Sequence, residues 1–182
     1  MRAVELVFAA AWAAFWLYWI VAALSRKKGH IQWSRELRIR AALLVPVIVL
    51  VRVGAFRGHG YDSDLWRGGI GLAVFALGLA FAIWARVNIG RNWGTPMTTK
   101  DDPELVTSGP YRVVRHPIYS GILVAGLGTG VGLSWYWLIP AGLAGIYFVY
   151  SATVEERYLA EQFPNDYPTY KRSTKMLVPF VF

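Results

Sequence analysis

The sequence predicts an all-α fold, an integral membrane protein of five transmembrane helices whose last two form a tight hairpin, followed by a polar cytoplasmic C-terminal segment. Three observations predict it. Of 182 residues, 55% are hydrophobic and only 16% charged, against about 45–50% apolar and about 25% charged in soluble domains. The apolar residues gather in long uncharged runs, and the basic residues gather between alternate pairs of those runs. Cysteine is absent, which removes disulfide frameworks, thiolate nucleophiles and zinc ribbons. A formal net charge of +8 fits either nucleic acid or an anionic membrane face, and the position of the charges decides between them.

Residues 6–24 carry no charge and approach the roughly 20 residues that cross about 30 Å of hydrocarbon. The run is longer than the core of a signal peptide, follows Glu5, and contains Trp12, Trp16 and Trp19, which suit an anchor better than a cleaved leader. A second, weaker apolar run covers residues 41–51; Pro46 interrupts it and Arg52 ends it, so it spans only if Arg52 snorkels or faces the bundle and the helix continues to Phe56. The third occupies residues 68–85. From Pro117 to Val154 there are 38 consecutive uncharged residues, about 57 Å as one helix and nearly twice the hydrocarbon thickness. This stretch has to fold back, and the cluster of Gly, Ser and Trp at residues 132–135 is where a turn is expected.

Five spans sort the basic residues. Arg26, Lys27, Lys28, Arg35, Arg38 and Arg40, then Arg86, Arg91, Lys100, Arg112 and Arg115, then Arg157, Lys171, Arg172 and Lys175 fall on one side, leaving Arg2, Arg57 and Arg67 on the other. The positive-inside rule then sets the N-terminus outside and the C-terminus in the cytoplasm, with a bacterial inner membrane as the expected location. The basic balance reports orientation, and no nucleic-acid partner is expected. Gly121, Gly126, Gly128, Gly130 and Gly132, with Ala141, Gly142, Ala144 and Gly145, read as small residues for close helix packing. None forms a dinucleotide-binding glycine pattern.

With the spans removed, polar material falls into residues 86–116 and 155–182, so the chain divides into an N-terminal three-helix region (1–85) and a core that carries the chemistry (86–182). Ser108-Gly109-Pro110 signals a turn, and Pro117 suits the first position of a helix. His116 would sit where backbone N–H groups and the helix dipole favour an anion. Tyr111 and Tyr119 could face a cation, or simply belong to an aromatic belt. Arg112 and Arg115 read equally well as interfacial basic residues. Glu155 and Glu156 end the long uncharged stretch, where an acidic pair does nothing for orientation and carries a desolvation cost unless paired or wet; they suit an ammonium or sulfonium ligand, or arginine partners.

The run Leu105-Val106-Thr107-Ser108-Gly109-Pro110-Tyr111, followed by Arg115-His116-Pro117-Ile118-Tyr119-Ser120-Gly121, Glu155-Glu156 with Leu159, and Tyr167 with Tyr170, closely resembles the isoprenylcysteine carboxyl methyltransferase family. The related phospholipid methyltransferases share the Arg-His-Pro-x-Tyr and Glu-Glu elements. The resemblance covers about residues 86–182. It implies an integral membrane enzyme that transfers a methyl group from S-adenosylmethionine to a lipophilic acceptor entering from the bilayer, with the cofactor enclosed under the cytoplasmic tail. By the resemblance, Leu105, Val106, Tyr111, His116, Pro117, Ile118, Tyr119 and Glu155 are cofactor-binding candidates, with Glu155 also a catalytic one; the residues themselves add Glu156 to the cofactor-binding set and Arg112 to the catalytic set, and no metal is needed. One position departs from the pattern: the isoprenylcysteine enzymes carry an acceptor-binding Arg four residues before the matched Glu, and here Ser151 stands there. A hydroxyl cannot replace that charge, unless Arg86, Arg91 or Arg112 reaches in. The acceptor therefore stays open between an isoprenoid acid, a phospholipid amine and a small thiol. Outside enzymology, a membrane adaptor or small permease is the competing reading, although a transporter would be expected to carry ionisable groups at the bilayer midplane.

Overall fold

A computed structural model describes residues 2–23, 29–31, 38, 45, 48, 52, 65–93, 98–100 and 104–182. Nearly all of the expected second span lies outside these residues. Helix α1 covers Arg2–Ala23 and α2 Leu65–Ile89; after a loop and a short 3₁₀ turn, α3 covers Pro117–Gly132, α4 Leu138–Gln162, and the short α5 Tyr167–Ser173. Three helical segments among the described residues are long and apolar enough to cross a membrane, Ala3–Ala22, Trp66–Asn92 and Trp135–Gln162, and Pro117–Gly132 is a shorter apolar helix.

The described residues are helical apart from one short ribbon, a departure from the all-α expectation. Strand β1, Gly29–Ile31, pairs antiparallel with β2, Thr98–Lys100, with His30 opposite Thr99.

The long uncharged stretch does break. Helix α3 ends at Gly132, Leu133 returns its N–H to the Thr129 carbonyl at 2.9 Å, and the Ser134 side chain accepts from the Tyr136 N–H at the start of the 3₁₀ turn Trp135–Trp137. The chain turns where Gly and interfacial Trp cluster, and α4 runs back.

Glycine determines how α2 and α3 meet. Gly71 and Gly78 on one helix face Gly121, Ala125, Gly128 and Gly132 on the other, so closely that a Cβ on Gly121 would lie 2.6 Å from the Gly78 carbonyl oxygen, and one on Gly128 2.7 Å from that of Gly71. Backbone-to-backbone contact of this kind is how helices associate when lipid removes any hydrophobic drive between them. The α3 glycines therefore serve three neighbours: Gly126 and Gly130 turn to Ala141 and Leu138, at the start of α4, and Gly132 also meets the Phe8 ring of α1. Gly142 meets nothing within 4 Å, so it takes no part in this packing.

Helix α1 closes the bundle with aromatic rings. Phe8 meets Phe75 at 4.8 Å between ring centroids, Trp12 meets Phe75 at 5.3 Å, and Trp19 meets Trp93 at 6.1 Å. The Trp12 indole N–H donates to Thr129 Oγ1 at 3.2 Å. Buried Arg86 donates to the Ala22 carbonyl at 2.9 Å and to Gly90 at 2.7 Å, with its guanidinium 4.8 Å over the Trp93 ring. One cation thus satisfies the carbonyl ends of two helices, where the dipole favours positive charge.

Candidate functional site

The site forms where α3 begins. Gly109 has φ +57°, and a Cβ there would lie 2.5 Å from Asn88 Oδ1, so a side chain would face both a left-handed backbone and a clash. Asn88 Nδ2 holds this turn by donating to the Ser108 carbonyl at 3.0 Å. The 3₁₀ turn Gly109–Arg112 that follows buries Pro110 and Tyr111, and the Tyr111 carbonyl accepts from the Tyr170 hydroxyl at 2.7 Å. Burial pushes the Tyr111 and Tyr170 phenols well above their ordinary range, so both remain neutral hydrogen-bonding groups.

The C-terminal tail lies against this same edge. Arg115 and His116 donate their backbone N–H groups to the carbonyls of Lys175 (2.8 Å) and Met176 (3.1 Å), and Ser120 Oγ donates to the Leu177 carbonyl at 2.6 Å. The tail is also pinned by charge. Arg115 Nε donates to Glu156 Oε1 at 2.6 Å, Lys171 Nζ lies 2.7 Å from Glu156 Oε2, and a further Arg115 nitrogen reaches the Thr174 carbonyl at 2.5 Å. Glu156 is only 4% exposed, and its two oxygens are taken by these cations. A buried carboxylate tolerates burial when charges and hydrogen bonds satisfy it in this way.

Glu155, one residue earlier on α4, is held differently. Its Oε1 accepts from the Tyr119 hydroxyl at 2.6 Å and from Ser151 Oγ at 3.1 Å, and the two hydroxyls lie 3.2 Å apart. With a quarter of its side chain exposed, it is the more accessible of the two carboxylates. His116 sits between them, Nδ1 3.6 Å from Glu155 Oε2 and Nε2 3.5 Å from Glu156 Oε1, ion-pair rather than hydrogen-bond distances. Burial by itself would lower the His116 pKa, but the two carboxylates outweigh it and raise it above the ordinary value. Its ring stacks on Tyr119 at 5.5 Å, and Tyr119 on Phe148 at 4.5 Å, each pair within a few degrees of parallel.

His116, Pro117, Ile118, Tyr119, Glu155 and Glu156 therefore come together. Tyr111 lies beneath them in the same core as Ile118 and Tyr119, with half-buried Val106 packed against it, and Leu105 beside it is also half-buried. Arg112 is exposed on the 3₁₀ turn, and the arginine that enters the cluster is Arg115. Three contributors had weak sequence signals. Lys171 reads as a solvated basic residue until α5 turns it toward α4, and Arg115 is indistinguishable by composition from Arg112. Asn92 lies beyond the motifs; it is buried, donates from Nδ2 to Glu104 Oε2 at 2.8 Å, and leaves its Oδ1 without a hydrogen-bond partner. Its neighbour Glu104 abuts the Leu105-Val106 segment, which is the one sequence clue to it. No cluster of metal-ligating side chains occurs among the described residues.

Residues 66–166 match the model of the phospholipid methyltransferase family. The nickel-cobalt-cadmium resistance protein NccN of Alcaligenes xylosoxydans xylosoxydans is 28% identical over 78% of this chain and 65% of its own length. Protein-S-isoprenylcysteine O-methyltransferase B of Arabidopsis thaliana is 30% identical over 77% of this chain and 73% of its own. Among solved structures, the eukaryotic intramembrane Ras methyltransferase ICMT (isoprenylcysteine carboxyl methyltransferase) shares the fold with a TM-score of 0.57 at 22% identity, over 84% of this chain and 55% of that one. The chain thus spans between about half and three quarters of the length of these proteins.

Proposed function

Since the chain belongs to the phospholipid and isoprenylcysteine methyltransferase family of integral membrane proteins, we propose that it transfers a methyl group from S-adenosylmethionine to a lipophilic acceptor drawn from the bilayer. The observation that carries the reading is the cluster of His116, Tyr119 and Glu155 at the start of α3, beneath the C-terminal tail. The donor set suits that cofactor, which presents a carboxylate, an ammonium, a sulfonium and a nucleoside. His116 Nε2 is buried 3.5 Å from Glu156 Oε1, an ion-pair contact that leaves it without a hydrogen bond, beside the N-terminus of α3, a combination that suits a ligand carboxylate. Glu155 suits a cation, and Asn92 Oδ1 offers a buried acceptor to an N–H or O–H donor. An unsatisfied buried polar atom costs about 1–3 kcal/mol, which a ligand donor would recover.

When bound, the cofactor supplies an electrophilic methyl group. The protein's part is to position and to exclude water. Tyr119 and Ser151 fix the rotamer of Glu155, and the Arg115–Glu156–Lys171 bridge holds the tail across the site. Glu156 supports the site from behind, because its charge is already neutralised, and Arg112 does not join the cluster. The polar core of residues 86–182 carries the chemistry in this reading and residues 1–85 the membrane framework; five spans with the N-terminus outside and the C-terminus in the cytoplasm complete it.

A second reading rests on Ser151, fully buried and bonded to Glu155. A neutral hydroxyl beside a carboxylate suits an acceptor that arrives with a proton, a phospholipid amine or a small thiol, better than an acid. Calorimetric titration of the purified protein with S-adenosylmethionine tests the cofactor. His116→Ala and Glu155→Ala are expected to weaken binding roughly tenfold or more, the scale of one charge-assisted hydrogen bond; wild-type affinity in both overturns the assignment. Mass spectrometry of a lipid extract incubated with protein and labelled cofactor identifies the acceptor.

A further inference from the structure

The last five residues are apolar yet face outward. Phe180 is 90% exposed and Val181 75%, with Val178 and Phe182 about half exposed, while Leu177 just before them is buried. The segment is a closed turn: the main-chain oxygen of Phe182 accepts from the N–H groups of Leu177 (2.8 Å) and Val178 (2.5 Å). Phe180 adopts φ +66°, the sole non-glycine in the left-handed region among the described residues. A bulky residue is costly there and persists where its surroundings impose it. The outcome is a phenyl ring held away from the protein.

The root of this turn fixes where it lies. The Leu177 carbonyl is bonded to Ser120 Oγ, within the first turn of the apolar helix α3. Five residues reach about 17 Å even when extended, and these fold back on themselves, so the apolar tip stays at the level where α3 enters the membrane. Exposed Arg172 and Lys175 lie just before it, cations suited to anionic headgroups. Aromatic and aliphatic tips with basic flanks are what an interfacial anchor requires.

We propose that residues 178–182 insert into the bilayer interface and that this insertion holds the tail closed over the site, the partner being the lipid surface with its anionic headgroups. The coupling is direct, because the residues preceding the tip supply the carbonyls that bind the backbone of Arg115 and His116. The proposal rests on the membrane reading of the helices and is independent of methyl transfer.

The absence of cysteine makes the test clean, since Phe180→Cys and Arg172→Cys each introduce a single thiol. Both are labelled with a nitroxide in nanodiscs of phosphatidylcholine and phosphatidylglycerol, and collision with oxygen is compared with collision with a water-soluble nickel chelate. The label at Phe180→Cys is expected to favour oxygen several-fold over that at Arg172→Cys; equal nickel access at both overturns the insertion, and Val181→Cys gives the same readout if Phe180→Cys fails to fold. For the closure, Phe180→Ser with Val181→Ser is expected to speed trypsin cleavage after Lys175 at least fivefold in nanodiscs, and an unchanged rate overturns the coupling. Loss of cofactor binding with lipid insertion intact would strike the proposed function alone, and the converse the anchor alone.

Discussion

Successive residues on a helix point about 100° apart, so Glu155 and Glu156 cannot share an environment. Glu156 turns into the seam between α4 and the tail, where Arg115 and Lys171 meet it, and Glu155 turns toward Tyr119 and Ser151. Glu156→Gln should therefore lower stability, by about 3 kcal/mol where buried Arg115 is left uncompensated and by little at half-exposed Lys171, whereas Glu155→Gln should act mainly on cofactor affinity; thermal unfolding read beside calorimetry separates them. His116, facing both carboxylates, adds a pH dependence of definite sign. Its pKa is raised in the folded state, so the stabilisation is complete below the ordinary value near 6.5 and is lost as pH rises through the higher folded value. The midpoint of unfolding should fall across that window in the wild type, and His116→Gln should flatten that part of the profile. At this scale the sequence carried residue types well and partners poorly. The motif spacing brings out His116, Tyr119 and Glu155, and it includes Arg115 while passing over Arg112, three residues earlier and exposed; what it does not carry is that Arg115 turns inward to Glu156 and the tail. That choice depends on where the tail lands.

Elements behave in the opposite way. Uncharged run length, a Pro at the head of α3 and a Gly–Trp cluster at its end set three helix limits close to where they occur, because hydrocarbon thickness and backbone satisfaction leave few alternatives. Which helix meets which is a different matter. The glycines of α3 announce close packing without naming the partner, and α2 takes Gly121, Gly128 and Gly132 while α4 takes Gly126 and Gly130. The β1–β2 ribbon was not foreseen, since three-residue strands in polar connectors have too little periodicity to register. Gly128→Val would press its side chain on the Phe75 backbone and the Gly71 carbonyl, and neither can yield without separating the helices. A loss of about 1–3 kcal/mol is expected, the scale of overpacking, seen as a lower unfolding midpoint in detergent. Gly142→Ala, with open space around it, should leave the midpoint unchanged or slightly raised; equal loss in both would remove the α2–α3 seam as a source of stability.

Across the whole molecule the demanding step is α3, whose 16 residues span about 24 Å at 1.5 Å per residue, short of the roughly 30 Å of hydrocarbon. The apolar turn that follows extends the crossing, since Leu133 and the rings of Trp135, Tyr136 and Trp137 continue it before α4 begins, and 3₁₀ geometry rises about 2 Å per residue. A short helix is also tolerated where the bilayer thins locally, at a fraction of a kcal/mol per Å. If α3 crosses, the Trp135–Trp137 turn and the C-terminal tail lie on opposite faces of the membrane, and the proposed topology, which rests on the basic clusters, would have the tail on the cytoplasmic face. Single thiols decide this. Trp135→Cys should react with a membrane-impermeant maleimide in intact cells, while Arg172→Cys should react only after lysis. Labelling of both in intact cells, or of neither, would mean that α3 and α4 enter and leave by the same face, and the site at the start of α3 would then no longer be separated from the outside by the hydrocarbon that the hairpin has to cross.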